Sequence, residues 1–158
     1  MWNAVPYFEN ICNKLKLTAG KYHFCRVTGL GYLEDVLANM KTKNAFLAVD
    51  DSDDGMTIRK GGAYFNRRSV VVYILKKYNF LRQDEREAVL QETRSIREKI
   101  TSRMLKDSNE VEEMYYLNKD RIPYHEVSGY FAAGTAGVYF IITIEEPVNL
   151  CYDASDWN

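Results

Sequence analysis

Four short groupings in this chain hold residue types that can do chemistry. Thr28-Gly29-Leu30-Gly31 follows an alternating stretch and precedes a helical one, the setting in which a glycine turn cradles a pyrophosphate. The third glycine of that fingerprint would stand at position 34, which holds Glu34, with Asp35 beside it. Two carboxylates in a first helical turn repel the anion that such a helix end attracts, so the expectation is a structural turn. Asp50, Ser52, Asp54 and Gly55 match the first half of a calcium loop. Its twelfth position would be Gly61 in place of a bidentate glutamate, and strand-type sequence flanks it, so the cluster reads as a solvated acidic turn. His23 and Cys25 share one strand face, and Glu126 follows His125. A zinc site or a Cys–His nucleophile would need these to meet in space with further ligands, and the chain carries no CxxC, HExxH, GxSxG or phosphate-loop motif. Finally, Arg59-Lys60 and Arg67-Arg68 flank Tyr64 and Phe65. Cations interleaved with aromatics suit a base-stacking platform, and they equally suit a subunit contact or a sheet edge.

The elements that must position these groups follow from hydrophobic spacing. Pro6 in a first turn and Tyr7, Phe8, Ile11 and Leu15 at helical intervals predict a helix over 5–17. Residues 21–27 alternate as a strand, and Leu33, Val36, Leu37 and Met40 mark a helix over 32–40. Ala45–Val49 predicts a short strand stopped by the acidic turn, with Met56–Lys60 leaving it as another. Residues 69–78 are β-branched on both faces, as in a central strand covered on both sides. Val89, Thr93, Ile96, Ile100 and Met104 predict a long helix over about 84–106, ended by Asp107-Ser108-Asn109. Strands are then expected at 111–117, 124–131 and 138–145, the last pair as a hairpin, with Pro147 as the stop. The fold class expected is α+β, a single domain over 1–158 whose mostly antiparallel sheet packs against the long helix and an N-terminal one.

Composition narrows the function classes. With 158 residues and 46% apolar content the chain can build a real core. A net charge of −1 argues against a protein that coats nucleic acid or anionic lipid, and no apolar run reaches bilayer length. Three widely spaced cysteines, Cys12, Cys25 and Cys151, read as reduced thiols of a cytosolic protein, with no signal peptide at the start. Twelve tyrosines fit either partly buried contact surfaces or ordinary half-exposed strand faces.

The order of elements, with Ala45–Asp50 (AFLAVD), Ser69–Ile74 (SVVVYI), the helix from Asp84, Val127–Phe131 (VSGYF) and Gly137–Ile144 (GVYFIITI), resembles the tail terminator proteins of long-tailed bacteriophages, also called minor tail or tail completion proteins. The resemblance implies an α+β domain that assembles with itself as a ring. That ring caps the tail tube and joins it to the head, working through contacts, without catalysis or cofactors. Its partners would be further copies, the tail tube and head-completion proteins, and its place the bacterial cytoplasm and then the virion tail. Nucleic acid and membrane are not expected partners. On this reading the candidate interface is Asp50, Asp51, Asp53 and Asp54 together with Arg59, Lys60, Tyr64, Arg67 and Arg68, opposite charges pairing between neighbours. The alternative is a small nucleic-acid-binding or processing domain using Arg59–Arg68. A third option is a small enzyme built from scattered residues such as His125, Glu126 and Tyr130.

Overall fold

The structure, a computed structural model, describes residues 2–128 and 134–158, without the side chains of Leu30, Asp53, Asp54 and Ser128. Its elements in chain order are α1 (Ala4–Lys14), β1 (His23–Val27), α2 (Gly29–Asn39), β2 (Ala45–Lys60), β3 (Ala63–Lys77), α3 (Gln83–Glu110), β4 (Tyr124–Ser128) and β5 (Thr135–Val148). Single 3-10 turns stand at Glu112–Met114 and Ala154–Asp156. The strands form one sheet in the order β1-β2-β3-β5-β4, with β1 parallel to β2 and every other pair antiparallel. A parallel neighbour needs a crossover, and α2 is that crossover between β1 and β2. The fold is α+β, as the order of patterns implies.

The period-two runs place each strand's residues on two faces. Val70, Val72 and Ile74 of β3 and Phe140, Ile142 and Ile144 of β5 point to the face covered by α1 and α3. There they meet Phe8 and Ile11 of α1 and the α3 stripe Ile96, Ile100 and Met104. Each such fully buried side chain contributes roughly 1.5–3 kcal/mol of transfer free energy. On the opposite face Phe46, Ala48, Tyr73 and Leu75 pack under Leu33 and Leu37 of α2. β3 is thus the central strand with both faces apolar.

Several local expectations are corrected. Asp50–Gly55 is not a turn: β2 runs through it unbroken to Lys60, with a bulge between the rungs Asp50–Val71 and Asp54–Ser69. The true reversal is Gly61-Gly62, both with positive φ (56° and 85°), the geometry a two-residue hairpin turn demands. Helix α2 begins at Gly29, whose φ of 79° suits glycine, so this glycine serves the chain's bend into the helix. Asp107-Ser108-Asn109 does not end α3. The Ser108 hydroxyl and the Asn109 amide both donate to the Leu105 carbonyl, at 2.8 and 3.1 Å, and the helix continues to Glu110. The segment 111–117 is not a strand; after a 3-10 turn it touches the sheet only through the Leu117–Ile144 bridge. Pro147 lies inside β5, opposite Phe65. The Glu145 amide points away from β3 to the Tyr116 carbonyl, so two residues on the proline nitrogen faces an open edge and no ladder bond is lost. The expected strand end at 129–131 lies outside the described residues.

Candidate functional site

The charged residues of the candidate interface all lie on or beside one feature, a β arm. Beyond the bulge, the rungs from Gly55–Arg68 to Lys60–Ala63 extend for about 20 Å. From Gly55 to Tyr64 every residue except half-buried Ile58 is exposed, and β5 runs alongside as far as Val148 opposite Tyr64. Met56 and Tyr64 are the large apolar side chains it presents, at 57% and 43% exposure.

The expected pairing of the acidic and basic residues between neighbouring copies meets a competing arrangement, because most of these charges find partners inside the chain. The Asp50 carboxylate accepts from the Gly29 amide at 3.0 Å, capping α2 where Thr28 makes no side-chain cap, and from the Ser52 amide at 3.0 Å. Asp51 accepts from Arg26 Nε at 2.7 Å. The side chains of Asp53 and Asp54 lie outside the described set. Lys60 and Arg67 converge on Glu145, Arg67 Nε at 2.8 Å. Arg68 donates to the Trp2 carbonyl at 2.9 Å and stands 3.9 Å from Glu146, which in turn accepts from the Trp2 amide at 2.9 Å. Arg59 lies over the Tyr64 ring, 5.8 Å from its centroid, as its cross-strand partner. The missed residues are Glu145 and Glu146. Their only sequence signal is an acidic pair beside a proline, and nothing short of the β3–β5 register assigns them to the basic cluster.

This arrangement ties β2 and β3 of the arm to β5. Hydrogen bonds from Lys60 and then from Arg67 hold the Glu145 carboxyl below the usual carboxylate range. A depressed folded value means the stabilisation is present above about pH 4.3 and lost as pH falls through the folded pKa. Lys60 and Arg67 are partly solvated, so the cluster contributes about 1 kcal/mol at most. Glu145→Gln is expected to lower the melting temperature by a few degrees at pH 7, and the gap from the parent should narrow as pH falls below the usual carboxylate range and close once Glu145 is protonated in the folded chain. A gap that persists in acid would assign the effect to packing.

The histidine and cysteine candidates are not brought together. β1 and β4 are the two edges of the sheet with three strands between, so His23 and His125 stand about 19 Å apart. His23 meets the Phe46 ring edge-on, and His125 stacks on Tyr139 at 5.0 Å. Glu126 points to the opposite face and accepts from Arg94 Nε at 2.6 Å, while Tyr130 lies outside the described residues. Burial pushes the Cys12 and Cys25 thiols up to about 11, so both stay protonated near neutrality.

A second polar cluster was not anticipated. Asp107 on α3 is buried and accepts from Arg103 Nε at 2.7 Å and from the Tyr7 hydroxyl at 2.9 Å. Burial first, then the bond to Asp107, raises the Tyr7 hydroxyl above its ordinary range. This cluster forms the base of a groove between α1 and α3. The signal for it is the spacing Lys99, Arg103, Asp107 along one helix face. No protein-family model matches this chain, and no curated protein matches it.

Proposed function

We propose that this protein is an assembly protein that joins copies of itself through surface contacts, in the manner of a ring that caps a phage tail tube and joins it to the head. The observation that carries the reading is the β arm. A stretch of ladder that is exposed along nearly all of its length from Gly55 to Tyr64, is tied to β5 through Lys60, Arg67 and Glu145, and presents Met56 on one face and Tyr64 on the other is suited to be buried against another chain. On this reading the charges of Arg67 and Arg68 act inside the chain, holding the arm, and the apolar side chains make the contact. The partners are further copies, the tube and the head-completion proteins, and no cofactor is called for.

The nucleic-acid reading of residues 59–68 draws less support. Of the four cations there, Arg59 alone has no carboxylate partner among the described residues, and paired cations release fewer counterions on binding phosphate. Light scattering after size exclusion, over a range of concentration and salt, tests the assembly. The parent chain should gain mass as concentration rises and form closed rings under the electron microscope. Met56→Glu with Tyr64→Glu, both at exposed positions, should weaken association at least about tenfold with the fold intact. Unchanged association would remove the arm from the interface.

A further inference from the structure

The arm has an open edge. β1 pairs with β2 only over Phe46–Asp50, and among the described residues the backbone of Gly55–Lys60 bonds to β3 alone. Which groups face outward follows from β5. The amides of Ile141 and Glu145 point away from β3, to the Pro123 and Tyr116 carbonyls, so the bonded β3–β5 rungs include Arg68–Ile144 and Asn66–Glu146. Bonding alternates along a strand, so Arg67 and Phe65 turn the other way and bond Met56 and Ile58 of β2. The N–H and C=O groups of Gly55, Thr57 and Arg59 are left facing out, and all three residues are exposed. The Gly61-Gly62 turn agrees, since a two-residue hairpin makes its closing rung, Lys60–Ala63, a bonded one.

An unpaired edge of this kind is a template for a further strand, and its charges choose which. Asp51, Asp53 and Asp54 stand at one end, and Arg59 and Lys60 at the other. Arg26 offsets Asp51 alone, and Lys60 and Arg67 share the one carboxylate of Glu145, so by formal charge each end keeps its sign. Such an edge is complementary to its own reversed copy, whereas a parallel copy would set like charges together. The chain's own residues 149–158 fit it worse. Val148 leaves β5 on the far side of β3 from this edge, and the segment folds into the Ala154–Asp156 turn capped by Asp153. With two aspartates and no cation, it offers nothing to the acidic end.

We infer that the outer edge of β2 pairs with the same edge of a second copy, antiparallel about a two-fold axis at Thr57. Outward residues bond outward residues, which sets Thr57 against Thr57 and Gly55 against Arg59 of the second copy. The same register places Met56 opposite Ile58 and Asp54 opposite Lys60, each twice, so the apolar pair sits inside and opposite charges close both ends. The inference rests on the reading that copies associate, and it names what covers the arm. A two-fold contact is complete with two copies, so a ring built on it is a ring of pairs.

Thr57→Cys tests the contact in the full chain. Two thiols at the axis would have Cα atoms about 5.5 Å apart, within disulfide reach, and a link of one position to itself joins two copies. Mild oxidation should give that dimer. Gly55→Cys and Arg59→Cys should form little of it separately, because the axis holds each position about 14 Å from itself, and should link to each other when mixed. Thr57→Pro removes an outward N–H and no ladder bond, so it should keep the parent's circular dichroism and weaken association at least about tenfold by light scattering. Thr57→Val loses the same hydroxyl bond to Asn66 and should match the parent. A disulfide from the Thr57→Cys thiol to Cys151 would overturn the edge of a second copy as occupant in favour of residues 149–158. No disulfide and an unweakened Thr57→Pro, in chains whose solution mass is still that of an oligomer, would overturn the edge pairing and leave the assembly reading standing. A monomer at every concentration would overturn both.

Discussion

Gly137→Ala should leave little folded protein. Gly137 stands in β5 with Leu75 of β3 on one side and Val127 of β4 on the other, so backbone encloses it within the sheet. A Cβ at this position would lie 2.0 Å from the Ile74 carbonyl oxygen and 3.0 Å from the Leu75 Cα. Neither atom belongs to a side chain that can swing away. Relief requires β3 and β5 to part at the rung where Ile74, Leu75 and Val138 are completely buried. The expected cost exceeds about 4 kcal/mol, in the range reserved for broken backbone geometry or core packing, against a total stability of about 5–15 kcal/mol. Urea unfolding followed by circular dichroism measures it. Gly55→Ala is the internal comparison: its Cβ meets the Arg67 carbonyl at 3.3 Å in the arm, where the strands are free to adjust, so its cost should be a small fraction of the other. Equal midpoints for the two variants would show that the β3–β5 ladder tolerates the intrusion.

Asp107→Ala should be the second largest loss, about 2–3 kcal/mol. The carboxylate is buried and takes hydrogen bonds from Tyr7 on α1 and Arg103 on its own helix, so it ties the two helices that cover one face of the sheet. Truncation leaves the Tyr7 hydroxyl in a half-buried position without its acceptor. Arg103, which is mostly exposed, returns to water at little cost. Asp107→Asn keeps an acceptor for Tyr7 and loses the charge, so it should recover about half of the loss. Denaturant midpoints of the two variants separate the charge from the hydrogen bond. If Asn and Ala behaved alike, the ion pair with Arg103 would be the main contribution and the Tyr7 bond incidental.

The elements with strong periodicity were legible because a single physical demand, burial of one face, wrote them. The α3 stripe from Val89 to Met104 and the two-faced run of β3 are such cases. Errors fell where the local signal and the tertiary demand disagree. Asp50–Gly55 has the composition of a solvated turn, yet Asp50 is drawn inward to cap α2 and β3 supplies a ladder along the rest, so the strand continues. Asp107-Ser108-Asn109 has the composition of a helix stop. There the polar groups are satisfied by Tyr7, Arg103 and the Leu105 carbonyl, so nothing competes with the helix. Pro147 reads as a strand end in isolation and is harmless on an unpaired edge.

Patterns read along the chain were enough for the α+β class, the long helix against the sheet, the central place of the strand expected at 69–78, which in the fold runs Ala63–Lys77, and the cluster of cations around Tyr64. These depend on stretches of about twenty consecutive residues, where chain connectivity already dictates which side chains share a face. It took the packed fold to show which charges are already paired, that His23 and His125 stand on opposite edges, and that a groove lies between α1 and α3. Each of those depends on strand order and register between segments far apart in the chain, such as Arg67 with Glu145 or Tyr7 with Asp107. Partners of that kind are selected by the packing of the whole core, and no local spacing encodes them.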